Sequence, residues 1–202
     1  MFNKNISALL FIIIISFCLP FTTSAFWWFN QTPTVQNQAP IETNTLDDKA
    51  KIELSNKYQI WVDGFEKKDI ESVITNSDKY IFTIPELNYL FETETQKMKN
   101  PSISNVLLTK DNDNIKVTAN FHKFINGHFS FDAHIVSVEN KIRLELSSVN
   151  LYGFPIPSKW LANEVNKELD NYFSFLYKSE KYKGFSFIVN NDSLQLKPEF
   201  IK

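Results

Sequence analysis

Apolar residues recur along the chain with two periods, and the points where one gives way to the other divide it into elements. Leu46, Ala50, Leu54, Tyr58, Trp61 and Phe65 return every three or four positions, which is one stripe of an amphipathic helix. Gly64 and the charged run 66–69 are expected to end it, and the stripe is expected to face a core. A short strand around 79–83 then leads into Thr83-Ile84-Pro85-Glu86. Thr there can cap a helix, Pro suits its first turn, and Glu can reach back in a capping box. The second helix should start near Pro85, carry Leu87, Leu90 and Phe91 on one face with Met98 beyond, and stop before Pro101.

Alternation of period two takes over afterwards. Strands are expected over 106–110, 115–125, 128–139 and 142–152, joined by turns at 111–114, at Asn126-Gly127 and at Asn140. Four strands in sequence should form an antiparallel meander. Two of them change phase: Phe129, Phe131, Ala133 and Ile135 give way to Val136 and Val138, and Ile142, Leu144 and Leu146 give way to Val149 and Leu151. A slip of one residue moves an apolar set to the other face unless a bulge absorbs it, so bulges are expected near Ile135-Val136 and Ser147-Ser148. Apolar residues at both phases also suggest that the second face of these strands is covered or lines an apolar cavity.

The bend Gly153-Phe154-Pro155-Ile156-Pro157 is expected to end the last of these strands, because Pro155 and Pro157 lack a backbone donor and force an extended exit. A helix over about 158–178 follows, with Trp160 or Leu161, Val165, Leu169, Tyr172, Phe173 and Leu176 on a wide apolar face. Asn163, Asn166, Lys167 and Asp170 fall largely opposite. A final hairpin sets Phe185, Phe187 and Val189 against Leu194 and Leu196 around Asn190-Asn191-Asp192. The expected fold is α+β: a curved antiparallel meander sheet wrapped around a long C-terminal helix, with one or two further helices at the N-terminal side.

What precedes the first helix is of another kind. Lys4, the apolar run 6–21 and the small residues Thr23-Ser24-Ala25 have the layout of a signal peptide over 1–25, which predicts export. Phe26, Trp27, Trp28 and Phe29 follow directly. If the leader is kept, they extend it to about 24 residues, enough to span a bilayer, and place Trp rings at the outer membrane surface. Cleavage and anchoring both put the rest of the chain outside the membrane. Residues 30–45 are polar, hold two prolines and lack periodicity, as a spacer would. Residues 46–202 then form a single globular domain.

Composition narrows the function more than it defines it. The 202 residues carry 21 basic and 23 acidic side chains, for a net charge of −2. Such a balance argues against tracking the phosphates of a nucleic acid. The one cysteine, Cys18, lies in the leader after Phe17, where a lipid-attachment signal would want a small residue, so the domain must be stable without a disulfide. Low Gly with much Asn, Lys and Ile suggests a bacterial source; in a eukaryotic one, Asn30-Gln31-Thr32 and Asn191-Asp192-Ser193 would be glycosylation sequons.

Reactive groups form no recognisable constellation. His122, His128 and His134 are spaced by six, but a two-residue turn at Asn126-Gly127 would set Ile125 against His128 and His122 against Phe131, placing His122 on the other face from His128 and His134. Asp132 and His134 share a face, with no nucleophile assigned to them. Glu92 and Glu94 fan apart on a helix, and Asp111 and Asp113 belong to a turn. With 4 glycines the chain lacks a phosphate loop. No catalytic residue, metal ligand or cofactor site is expected. The notable surplus is aromatic, with 19 Phe, 7 Tyr and 4 Trp.

The stretch Thr83-Ile84-Pro85-Glu86-Leu87-Asn88-Tyr89-Leu90, the meander, Ile142-Arg143-Leu144-Glu145-Leu146 with Val149, the bend 153–157 and the last hairpin together resemble the YpmS-type bacterial envelope proteins. More distantly they resemble LmeA-type lipid-binding proteins. The likeness runs over roughly 78–196 and departs from those patterns at Ser147-Ser148, Tyr152 and Phe154. It implies a protein secreted into the envelope or held at the outer face of the cytoplasmic membrane, with a curled sheet around a long helix able to hold acyl chains. The lining of such a space would be Leu144, Leu146, Val149, Leu151 and Phe154 from the sheet side. Trp160, Leu161, Val165, Leu169 and Phe173 would line it from the helix. The alternative expectation is a structural or protein-interaction domain of the envelope whose core is fully packed and holds no ligand.

Overall fold

A computed structural model describes residues 46–97, 103–111, 114–121, 127–151, 153–190 and 193–201. The expected leader, aromatic segment and spacer lie outside the described residues. So do Met98, Pro101, Asn112, Asp113, His122, Asn126, Tyr152 and Asn191, and the side chains of Trp160, Phe187 and Val189.

Helix α1 (Asp48–Trp61) starts where Asp47 accepts the N–H of Ala50 at 2.7 Å. It does not end at Gly64. A π-helical turn, Val62–Glu66, continues it with Gly64 and Phe65 buried. Gly64 permits the approach of its neighbours: a Cβ there would stand 2.7 Å from Tyr80 Oη and 2.9 Å from Val73 Cγ2. A short helix α2 (Ile70–Thr75), capped by Asp69 through the N–H groups of Glu71 and Ser72, carries Val73 inward. It is too short to show a period in the sequence. Strand β1 (Ile81–Thr83) then enters α3 (Ile84–Lys97) through the expected capping box, with Glu86 N–H donating to Thr83 Oγ1 at 3.2 Å and Thr83 N–H donating to Glu86 Oε2 at 2.7 Å.

Strands β2 (Ile103–Asp111), β3 (Asn114–Phe121), β4 (Gly127–Val138), β5 (Lys141–Leu151) and the two-residue β6 (Phe154–Pro155) form one antiparallel meander in chain order. Helix α4 (Ser158–Tyr177) follows, and β7 (Tyr182–Asn190) and β8 (Ser193–Phe200) close the chain as a hairpin. That hairpin joins β1 in a second sheet of order β1-β8-β7, with Ile81 opposite Gln195. The fold is therefore α+β, with an antiparallel meander and the long C-terminal helix against it, as the sequence implies.

Two expectations about register need correction. Asn126-Gly127 is not a two-residue turn: Gly127 is paired with Phe121, Asn120 with His128 and Val117 with Phe131, so the link spans 122–126. The reason is side-chain phase. Pairing Ile125 with His128 would set Ile115, Val117 and Ala119 against Val138, Val136 and His134 on the outer side of β4, whereas the observed register sets them against Ala133, Phe131 and Phe129, which face the core. Nor is β4 bulged at Ile135-Val136, which pair without a break to Leu144 and Arg143. Its odd positions from Phe129 to Ile135 stay on the core side, while Val136 is partly covered and Ser137 and Val138 are exposed at the strand end.

The bulge expected at Ser147-Ser148 is present. Ser130 pairs with Asn150 and Asp132 with Ser147, leaving Ser148 and Val149 opposite Phe131, with Ser148 at φ 51°. This extra residue is what keeps Ile142, Leu144 and Leu146, and then Val149 and Leu151, in one core. A second bulge, with Asn105 at φ 51°, lies between Ser104 and Leu107 of β2.

Helices α3 and α4 lie on the same face of the meander. Leu161, Val165, Leu169, Phe173 and Leu176 of α4 pack with β4, β5 and the first helical segment, where Phe65 meets Phe173 edge to face at 5.8 Å. Ile84 and Phe91 of α3 pack with Val106, Leu108, Ile115 and Ala119 in a second cluster. The opposite face is polar, with Lys116, His134, Glu145, Ser147 and Ser148 exposed, so the strands are not apolar on both sides.

Candidate functional site

The side chains expected to line a ligand space are brought together, and tightly. Leu144, Leu146, Val149 and Leu151 are buried to between 2% and 8% exposure in the same cluster as the helix residues. Leu161 and Val165 retain 1%, Leu169 3% and Phe173 1%. A side chain bordering a space wide enough for an acyl chain keeps part of its surface open, and these do not. Phe154 is apart from them, 52% exposed on the two-residue strand β6. Trp160 lies on α4 with its side chain outside the description.

The open apolar surface is elsewhere on the same face. Val117 sits at the middle of β3 between the buried Ile115 and Ala119, yet it is only partly covered. Ile135 of β4 and Leu87 of α3 share this state, and all three border both buried clusters. They mark a seam over the centre of the sheet, between the part covered by α4 and the part covered by α3. Alternation assigns Val117 to the core like its neighbours; where the covering helices leave the sheet open cannot be read from it.

Two asparagines bound this region by closing the sheet's edges. Asn88 of α3 accepts the N–H of Leu108 at 2.8 Å and donates to its carbonyl at 3.1 Å. Asn166 of α4 does the same for Leu144, at 2.7 Å and 3.0 Å. Beside it, Arg143 and Asp170 form a two-pronged ion pair at 2.7 Å and 3.0 Å, and Ile142 N–H donates to Tyr177 Oη at 3.4 Å. Asn166 and Asp170, expected opposite the apolar face, therefore serve the sheet edge. Glu86 is the buried charged residue among the described residues, and besides its capping role it receives Lys57 of α1.

His128 and His134 lie on the polar outer face of β4. His134 Nδ1 lies 3.9 Å from Glu145 Oε2 across the β4–β5 pair, so its carboxylate neighbour is Glu145 and not Asp132, which pairs with Ser147. Burial, with nearby Lys116, lowers the His128 imidazole below its ordinary range. No group of three His, Cys, Asp or Glu able to hold a metal occurs among the described residues. Glu92 is exposed and receives Gln96 at 3.2 Å, while Glu94 acts electrostatically on Glu66 at the end of the first helical segment.

Among the described residues no helix is long and apolar enough to cross a membrane. A scan of family models and searches of curated proteins and of solved structures find no match to this chain.

Proposed function

We propose that this chain is an exported, noncatalytic protein of the bacterial cell envelope that binds a lipid or another apolar ligand on the helix-covered face of its sheet. The observation that carries this reading is the seam of Leu87, Val117 and Ile135, apolar side chains left partly open at the centre of a face that is otherwise buried. The resemblance to envelope proteins and the layout of residues 1–25 support export, with the domain released or held at the outer face of the cytoplasmic membrane through Phe26, Trp27, Trp28 and Phe29. An extended acyl chain fits such a seam by displacing water from the sheet centre, at a gain of about 0.8 kcal/mol per buried methylene.

A second reading is a structural or protein-interaction domain, and the closed packing of Leu161 and Val165 against Leu144 favours it. The two are separated by titrating a fluorescent fatty acid into the purified chain. Ligand binding predicts saturable uptake that falls about tenfold, or 1.4 kcal/mol, in Val117→Asp with circular dichroism unchanged. No uptake by the wild-type chain, or uptake equal in the variant, favours the structural domain.

A further inference from the structure

The hairpin of β5 and β6 ends the meander in an apolar tip. Phe154 pairs with Leu151 and Pro155 with Asn150, so the chain turns straight back after Leu151, with Gly153 at φ 81°. A Cβ at Gly153 would meet nothing within 4 Å, and Phe154 is 52% exposed between the exposed Gly153 and Pro155. Ile156 fixes the base of the hairpin, packing against the core and donating its N–H to the Val149 carbonyl at 2.8 Å.

Two properties narrow what such a tip suits. Its backbone asks little of a partner, because Phe154 and Ile156 are tied to β5 while Pro155 and Pro157 have no N–H. Charge is also missing: the sequence holds no charged side chain from Leu146 to Ser158, and the next is the exposed Lys159. The boundary of a bilayer penalises unsatisfied backbone donors and buried charge. It favours an aromatic ring, with a lysine reaching out to the headgroups.

We propose that this hairpin is a membrane-docking tip, with Phe154 entering the interfacial layer of a bilayer that carries anionic phospholipid and Lys159 lying at the headgroup phosphates. The contact needs no ligand at the seam and is separate from residues 26–29. It points the Leu151 end of β5 at the bilayer and holds the Val138–Lys141 end, roughly 30 Å along the strand, away from it. One ring binds weakly by itself. When the chain is also held through its N-terminal segment, the tip acts at a high effective concentration and sets the orientation of the domain more than its affinity.

The test places the full-length chain on vesicles of phosphatidylcholine with phosphatidylglycerol. An environment-sensitive dye is attached at Phe154→Cys or, for comparison, at Val138→Cys, which is 47% exposed at the other end of the sheet, each in a Cys18→Ser background. Quenchers carried on the acyl chains should dim the dye at position 154 several-fold more than the dye at 138. Equal quenching at the two positions, or none at 154, overturns the tip. Leaving out phosphatidylglycerol should weaken the signal at 154, and less so in Lys159→Gln; a signal indifferent to that lipid overturns the anionic surface. If a labelled variant fails to fold, the wild-type chain on nanodiscs containing a spin-labelled lipid decides. Broadening of the Phe154 ring resonances with sharp Val138 methyls supports the tip, and broadening of both alike or of neither overturns it.

Discussion

Asn166 satisfies both backbone polar groups of Leu144, its Oδ1 taking the N–H and its Nδ2 serving the carbonyl, so that a side chain stands where the next strand would be. Asn88 repeats the arrangement at Leu108 on the far edge of the sheet. An exposed edge invites pairing with another chain, and an amide that fills one residue's place removes that opening without adding a strand. Replacing Asn166 with Leu leaves two groups in a partly buried position without partners. The expected loss is about 1–3 kcal/mol, read from the urea midpoint. Asn166→Asp should be worse than its size implies, because a carboxylate would face the Leu144 carbonyl; a midpoint for Asp above that for Leu would contradict this account.

Gly64 is held by contact and not by its backbone angles. Gly64→Ala should destabilise by about 1–3 kcal/mol, since the new methyl meets Tyr80 Oη and Val73 Cγ2. Tyr80→Phe removes a buried hydroxyl that has no partner among the described residues, so it should be neutral or stabilising alone and should recover much of the loss in the double variant. A double-mutant cycle showing simple additivity would place the clash elsewhere.

Ser148 carries the β5 bulge at φ 51°, a region costing a residue with a Cβ about 1–2 kcal/mol. Ser148→Gly should raise thermal stability slightly, and Ser148→Val should lower it by more than the exposure of the site would suggest. If Val is tolerated as well as Gly, the bulge is not held at that residue.

Stability should also follow the charge of Glu66. Its folded-state value of about 7 lies above the 4.5 of the free side chain. The folded chain therefore binds more protons than the unfolded chain between those values, and this carboxyl lowers stability as pH rises through that window. Comparison of urea midpoints in wild type and Glu66→Gln isolates the effect: the variant should lose the decline, with the largest gain over wild type above neutrality.

Core truncation supplies a control for the ligand reading. Leu161→Ala, at a position 1% exposed, should cost about 2–5 kcal/mol whether or not a ligand binds. A cost near zero in differential scanning calorimetry would mean that α4 does not close on β5 as described.

Elements whose evidence is local were legible in the sequence. The Thr83–Glu86 box, the α4 stripe and the Ser147-Ser148 phase change each state their physics within a few residues. Features that depend on pairs distant in the chain were not. Periodicity sets Asn166 and Asp170 apart from the apolar face because it registers only apolar character, and cannot show that β5 has an edge in need of a donor and an acceptor. Asn126-Gly127 has the composition of a tight turn, but the register obeys the apolar series of β3 and β4. Glu66 belongs in the sequence to a charged run that suits a terminator, and nothing local signals a π turn. The expected lining residues of β5 and α4 share a core because apolar residues on facing elements attract one another, and the same pattern serves a filled space or an open one.

The pairing of Ile81 with Gln195, and of the Leu196 amide with the Tyr80 carbonyl at 3.1 Å, has a consequence for the order of assembly. β1 cannot gain its neighbour until nearly all of the meander and α4 have been synthesised, a gap of about a hundred residues. While the chain grows, Tyr80 and Phe82 lack the strand that completes their surroundings. Closure of the small sheet is thus a late event, following the emergence of the meander and α4.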